Sequence, residues 1–224
     1  MLRKPTRCPP SADEGFLAGA NGPGQAHPEH YFSASPSAPS EPTLVSVNLP
    51  GLAFSLLSDR GVFSGRRVDP GTMALLEQAP APPAEGDLLD LGCGYGPVAC
   101  TLAKKSPAAT VWAVDVNSRA LQLAKENAKR LCLPNVRVAH PEAVPATIRF
   151  AAVWSNPPVR VGKQALQQML SYWLSRLSDH ASAWLVISRH LGGDSLASWL
   201  TGQGWSVRRA ASKSGYRVIE VHRP

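Results

Sequence analysis

The segment Ser155-Asn156-Pro157-Pro158 combines residue types that can hold a planar amino group in place. Two consecutive prolines fix the backbone and lack N–H groups, so this part of the chain offers acceptors. The Asn156 side-chain oxygen and the Pro157 carbonyl can therefore accept both hydrogens of one amine. Because the lone pair of a nucleobase amine is delocalised into the ring, such an amine needs alignment with a strong electrophile in order to react. The alternative interpretation is that these residues only form a turn.

A second segment, residues 87–96, changes from an apolar strand pattern to glycine at alternate positions. Glycines between a strand and a helix let a ligand approach the backbone closely, because no Cβ intervenes. A dinucleotide fingerprint requires its third glycine at position 97, where Pro97 offers no N–H to a phosphate. Asp90-x-Gly92-x-Gly94-x-Gly96 instead resembles motif I of the class I S-adenosyl-L-methionine (SAM) methyltransferases. The resemblance implies that these glycines admit the methionine end of SAM, with Asp90 near the cationic ligand.

Two further acids follow predicted strands and complete the predicted cofactor site. Asp115 lies at the end of the second strand, where open α/β sheets place an acid that binds both ribose hydroxyls of a nucleoside cofactor. Its alternative role is to cap the next helix, for which Asn117 is better placed. We include the adjacent Val116 in the cofactor site. Glu142, after the third strand, is the candidate partner for the adenine amino group, the alternative being plain surface exposure.

Strand and helix patterns alternate from residue 87 onwards, which predicts a parallel sheet with right-handed crossovers. Two closing strands, 205–211 and 216–221, are separated by a short turn and are expected to pair antiparallel. We therefore predict an α/β fold with a seven-stranded, mostly parallel, doubly wound sheet of the class I methyltransferase type. The other five strands are predicted at 87–91, 110–115, 135–139, 151–155 and 183–187.

The N-terminal part of the chain is predicted to be a tail followed by a small extension. Residues 1–28 are rich in Pro, Gly, Ala and Ser without periodicity, which is typical of a disordered tail. Residues 44–57 alternate on both sides of Pro50-Gly51, which predicts a β-hairpin, and a helix is predicted at 73–78. We assign residues 29–80 to an extension of hairpin, loop and helix, and residues 81–224 to the methyltransferase domain.

The composition indicates a polyanionic partner and a cytoplasmic protein. The net charge is +7, and the first 40 residues hold three basic and three acidic side chains, so the excess belongs to residues 41–224. This charge favours binding to nucleic acid, the alternative being a basic surface that only aids solubility. Four cysteines form no CxxC pair and no metal-binding group with histidine, and we interpret them as small buried residues in a reducing compartment. No apolar stretch is long enough for a leader or a membrane span.

The resemblance becomes more specific at Asn156-Pro157-Pro158, which resembles motif IV of amino-directed methyltransferases. Together with residues 159–163, 61–64 and 68–72, it makes the chain from about His30 onwards similar to the small-subunit ribosomal RNA guanine-N2 methyltransferases, in a single-domain form. This resemblance implies that Asn156, Pro157 and Pro158 are catalytic, that SAM is the cofactor and that no metal is used. It also implies that the partner is 16S ribosomal RNA or the small ribosomal subunit.

Five residues are predicted to contact the RNA substrate: Phe63, Arg66, Arg67, Arg160 and Lys163. The four cations suit phosphate contacts that position RNA without reading its sequence. Many amino-directed enzymes place an aromatic residue where this chain has Val159, and Phe63, Tyr95 or Trp154 could stack on the target base instead. The loop 59–72 is interpreted either as a tight connection or as a mobile flap near the cofactor.

Four other functions remain open at this point. Within the methyltransferases, adenine N6 and protein glutamine are the rival targets, although their motif usually carries an aromatic residue after the prolines. A non-catalytic RNA-binding module is disfavoured by the intact Asp90, Asp115 and Asn156. A nicotinamide-dependent oxidoreductase is disfavoured by Pro97 and by the lack of a Tyr-x-x-x-Lys pair.

Overall fold

The computed structural model describes residues 41–60, 62, 67–158, 161–191 and 193–223. The strands in these residues are β1 (Thr43–Leu49), β2 (Leu52–Ser58), β3 (Asp87–Leu91), β4 (Thr110–Val114), β5 (Val136–Ala139), β6 (Phe150–Ser155), β7 (Leu177–Ser188), β8 (Ser206–Lys213) and β9 (Tyr216–His222). The α-helices are α1 (Pro70–Gln78), α2 (Pro97–Lys105), α3 (Ser118–Arg130), α4 (Lys163–Leu174) and α5 (Gly193–Gly202). The predictions for the tail 1–28, Phe63, Arg66, Val159 and Arg160 lie outside the described residues.

The main sheet has seven strands in the order β5-β4-β3-β6-β7-β9-β8. Strands β3 to β7 pair in parallel, whereas β9 pairs antiparallel with both β7 and β8. The predicted seven-stranded, mostly parallel sheet is therefore confirmed. Strands β4 and β5 lie on one side of β3, and β6 and β7 lie on the other side. The order in which strands are added to the sheet therefore reverses between β3 and β6. Ligands of open α/β sheets bind at the carboxyl ends of the strands at such a point.

Strands β1 and β2 form the predicted hairpin, a separate two-stranded antiparallel sheet. Alternate residues of β1 are buried, and Gly51 supplies the positive φ of 73° that the turn requires. The fully buried Asn127 of α3 joins this hairpin to the main domain: its Oδ1 accepts from Leu57 N at 2.7 Å, and its Nδ2 donates to Leu57 O at 2.8 Å and Tyr95 O at 2.9 Å. One side chain thus fixes the hairpin against the glycine-rich turn.

Some element boundaries differ from the predicted ones for local reasons. Helix α1 begins at Pro70 rather than residue 73, because Asp69 caps it and Pro70 occupies the first turn. Strand β7 begins at Leu177 rather than at the predicted residue 183, since α4 ends at Leu174. Arg176 between them donates to Pro145 O and Ile148 O, while its own carbonyl accepts from Phe150 N at 2.9 Å. These bonds turn the chain directly from helix to strand.

The described cysteines do not all behave as expected. Cys93 and Cys100 are buried with free thiols, but Cys132 is exposed in the turn after α3, so the expectation of buried cysteines is wrong there. None of the helices in the described part of the chain is long and apolar enough to cross a membrane.

Candidate active site

The glycine-rich turn between β3 and α2 is anchored to the end of β4. Gly92 N and Cys93 N both donate to Val114 O, at 2.8 and 3.0 Å. Gly92 and Gly94 have positive φ, and Gly96 caps α2 in the left-handed conformation at φ 95°. A Cβ at Gly94 would meet nothing within 4 Å, so space is open above this backbone. The turn therefore has the open backbone that the methionine end of SAM requires.

Asp90 is the next-to-last residue of β3, just before the glycine-rich turn, and it is 2% exposed. Its Oδ2 accepts from Ala99 N at 2.8 Å, which satisfies an N–H in the first turn of α2. Burial raises the pKa of this carboxyl to about 8, the Ala99 bond lowers it, and the negative charge of Asp115 raises it further. Asp90 thus supports the turn from below, and its contact with a ligand remains a prediction.

Asp115 follows β4 with a half-buried carboxylate that reaches the glycine-rich turn. Its Oδ2 accepts from Gly94 N and its Oδ1 from Asn117 N, both at 2.9 Å. Asn117 caps α3 by accepting from Arg119 N and Ala120 N, so the cap role belongs to Asn117. Each oxygen of Asp115 keeps a further lone pair, and this geometry fits two ribose hydroxyls. The residues present therefore fit a nucleoside cofactor at this edge.

The other predicted binding residues lie around this edge with fewer contacts. Val116 is half-buried beside Asp115, and Glu142 is exposed on the 3-10 turn Pro141–Ala143 after β5. Lys163 is exposed at the start of α4, and Arg67 is exposed ahead of α1. Their predicted roles with adenine and RNA remain predictions.

The Asn156 segment lies next to the glycine-rich turn because β6 pairs with β3, and a buried hydrogen bond joins the ends of these two strands. Ser155 Oγ at the end of β6 donates to Leu91 O at the end of β3, at 2.7 Å. Pro157 is buried, and a Cβ added at Gly92 would lie 4.0 Å from Pro158 Cδ. The structure therefore brings the two segments with the predicted chemistry to adjoining strand ends.

Asn156 contacts two residues that sequence reasoning did not include in the site. Its Nδ2 donates to Asp69 Oδ2 at 2.8 Å and to Thr72 Oγ1 at 3.0 Å. Asp69 also caps α1 by accepting from Thr72 N at 3.0 Å. In the sequence, Asp69-Pro70 ahead of an apolar run predicts the start of a helix. This pattern does not predict that Asp69 contacts residue 156.

Two of the aromatic residues suggested for base stacking, Tyr95 and Trp154, are not exposed to a ligand. Tyr95 and Trp154 are 2% and 1% exposed and pack in the core, so neither offers a free ring face in this structure, which corrects that suggestion. Tyr216 at the start of β9 is instead half-buried against α1. Its Cε1 lies 2.7 Å from the position of a Cβ at Gly71, which explains why position 71 carries glycine. Burial raises the pKa of Tyr216, and so does the nearby Asp69 charge.

No group of three His, Cys, Asp or Glu side chains within the described ranges is arranged to hold a metal ion. The acids of this edge instead bond to backbone N–H groups and to the Asn156 amide.

Residues 53–220 match the family model described as methyltransferase small domain. The protein YbxB of Bacillus subtilis (strain 168), whose name calls it uncharacterized, is 34% identical over 196 residues, which cover 86% of this chain and 98% of that protein. Ribosomal RNA small subunit methyltransferase C of Pseudomonas aeruginosa (strain LESB58) is 31% identical over 206 residues, which cover 83% of this chain and 58% of that protein.

Among solved structures, the T. thermophilus 16S rRNA N2 G1207 methyltransferase, in complex with AdoMet and guanosine, superposes with a TM-score of 0.71. It is 24% identical, and the match covers 84% of this chain and 52% of that one, so it shows a shared fold. The chain spans about half the length of these two ribosomal RNA methyltransferases. The family match and the seven-stranded sheet with its glycine-rich turn lead to one conclusion: the chain belongs to the methyltransferase small domain family and has the fold of the class I SAM-dependent methyltransferases.

Proposed function

We propose that this protein transfers a methyl group from SAM to the exocyclic N2 amine of a guanine in small-subunit (16S) ribosomal RNA. The observation that carries the proposal is the state of the Asn156 amide. Its nitrogen donates to Asp69 and Thr72, whereas its oxygen accepts no hydrogen bond from the described residues. An acceptor that the described residues leave unused, beside the Pro157 carbonyl, suits an incoming amine.

The residues around the glycine-rich turn hold the cofactor in this proposal. When bound, SAM supplies a methyl group on a positively charged sulfur. The open backbone at Gly92 and Gly94 receives the methionine end, and Asp115 accepts from the ribose hydroxyls. Asp115 is already oriented by its bonds to Gly94 N and Asn117 N, so it loses little conformational entropy on binding.

The residues of the Asn156 segment align the nucleophile. Asn156 Oδ1 and the Pro157 carbonyl accept the two hydrogens of the amine, which directs the nitrogen lone pair along the line of displacement. Such alignment can contribute up to about 7–11 kcal/mol to lowering a barrier. The proton leaves after nitrogen has become cationic, so the step requires no strong general base.

A nucleic-acid substrate is supported by charge. The excess of +7 belongs to residues 41–224. Two exposed cations lie near the Asn156 segment: Lys163 follows it in the chain, and Arg67 precedes α1, which contacts Asn156. Cations around a cleft attract a polyanion and hold its phosphates. The choice of small-subunit RNA draws on the names of both the P. aeruginosa relative and the T. thermophilus structure, and the choice of guanine N2 draws on the name of the T. thermophilus structure alone.

The experiment that tests this proposal is transfer of labelled methyl groups from SAM to defined substrates. Naked 16S and 23S RNA, both ribosomal subunits and ribosomal proteins are offered separately, and digested products are identified by mass spectrometry. We expect N2-methylguanosine from 16S RNA or the small subunit. Label in N6-methyladenosine, in methylglutamine or in large-subunit RNA alone contradicts the proposed guanine target. SAM binding without any transfer to these substrates contradicts the proposed methyltransferase activity.

A further inference from the structure

The Asn156 amide is fixed in one of its two possible orientations by the chemistry of its neighbours. An amide has a donor end and an acceptor end that are nearly identical in shape. The Asp69 carboxylate only accepts hydrogen bonds when it is ionised, so the amide end at 2.8 Å from Asp69 Oδ2 must be the nitrogen. Thr72 Oγ1, at 3.0 Å, accepts the second hydrogen. Both hydrogens of Nδ2 are therefore used within the protein.

The orientation matters because the target is also a donor. If the Asn156 amide turned over, its NH2 group would face the amine of the substrate, and two donors would oppose each other. We propose that Asp69 and Thr72 are positioning residues that keep the Asn156 oxygen directed to the substrate amine. This inference rests on the proposed function, since it concerns the same amine, and it adds two residues from a distant part of the chain.

Asp69 is itself rigidly placed, which a positioning residue requires. It is the N-cap of α1, where its carboxylate accepts from Thr72 N at 3.0 Å and its carbonyl accepts from Met73 N at 2.9 Å. Pro70 in the first turn restricts the backbone at the next position. The helix it caps is largely buried, with Ala74, Leu75 and Leu76 in the core. The Asn156 amide is thus held by the end of a packed helix.

The Asp69→Gly variant separates positioning from capping. Glycine is also tolerated at the N-cap, so α1 should keep most of its stability. It offers no side-chain oxygen to Asn156 Nδ2, so the amide can turn over. We expect kcat to fall about 10- to 100-fold, with the SAM dissociation constant nearly unchanged and only a small decrease in Tm. Asp69→Asn should restore kcat, because one oxygen of Asp69 accepts from both Thr72 N and Asn156 Nδ2 and the asparagine oxygen can take its place. Thr72→Val should lower kcat, and Thr72→Ser should restore it. Asp179→Asn, at an exposed position on β7, is the matched control for loss of a negative charge.

A second readout does not depend on activity. In the wild-type protein the Asn156 side-chain NH2 signals, assigned by their loss in Asn156→Ala, should exchange slowly with water because both hydrogens are bonded. In Asp69→Gly they should exchange faster or split into two populations. Fast exchange in the wild type overturns the inference, as does an Asp69→Gly variant with normal kcat. If the wild type methylates no guanine, the proposed function fails, while the exchange data still decide whether this fixed orientation exists.

Discussion

Ser155 Oγ and Leu91 O are joined by a buried hydrogen bond of 2.7 Å between the ends of β6 and β3. The next residue of one strand is Asn156, and the next residue of the other is Gly92. Together with the pairing of β3 and β6, this bond therefore fixes the segment predicted to align the amine beside the turn predicted to admit the cofactor. It contacts both halves of the site.

Replacing Ser155 with alanine should loosen both halves together. The change removes the donor and leaves the Leu91 carbonyl buried without its side-chain partner, which should cost about 1–3 kcal/mol of unfolding free energy. The Tm should fall, and SAM should bind more weakly because Gly92 gains freedom. Denaturant melts and calorimetry measure the two effects. A Ser155→Ala variant with wild-type stability and SAM affinity would show that the bond positions nothing.

Asp115→Ala should weaken SAM binding by about 1–3 kcal/mol, the cost of leaving polar groups unpaired. Asp115 also accepts from Gly94 N at 2.9 Å, so part of this loss reflects a less ordered turn. The Asp115→Asn variant keeps one oxygen for a backbone hydrogen bond. Its affinity for SAM should therefore lie between those of the wild type and Asp115→Ala. Isothermal titration with SAM measures all three proteins, and equal affinities would remove Asp115 from the cofactor site.

The architecture could be predicted from the sequence, whereas the contacts of Asn156 could not. The strands and the seven-stranded sheet follow from local periodicity and from the rule that alternating strands and helices form parallel sheets. The bond between Asp69 and Asn156 joins residues 87 positions apart, and no local pattern encodes it. Trp154 is a candidate stacking residue by sequence, but β6 lies inside a sheet covered on both faces, so its side chains enter the core.

Asp90 should make the stability of the protein depend on pH. Burial raises the pKa of its carboxyl from 3.8 to about 8 in the folded state. Between these values the folded protein holds a proton that the unfolded chain has released, so this group lowers the free energy of unfolding as pH rises through that window. Asp90→Asn cannot ionise and keeps an oxygen for Ala99 N. Its Tm relative to wild type should therefore increase from pH 5 to pH 9, and a constant difference would contradict the raised pKa.

The last prediction distinguishes residues that align the amine from residues that hold RNA. Asn156→Ala removes the acceptor that acts on the reacting group, so turnover should fall far more than SAM affinity. Lys163→Ala and Arg160→Ala remove candidate phosphate contacts, so RNA binding should weaken and its log–log salt dependence should flatten by roughly one unit per lost contact. Turnover at saturating RNA should then largely persist.

These opposite profiles follow from where each group acts. A phosphate contact is the same in the ground state and the transition state, so its loss changes binding without changing the chemical step. The Asn156 oxygen instead gains interaction energy as the amine nitrogen becomes positively charged, so its loss raises the barrier itself. Filter binding at several salt concentrations and single-turnover transfer from SAM measure the two quantities on the same RNA. Near-normal single-turnover rates in Asn156→Ala would refute amine alignment and leave Asn156-Pro157-Pro158 as a turn.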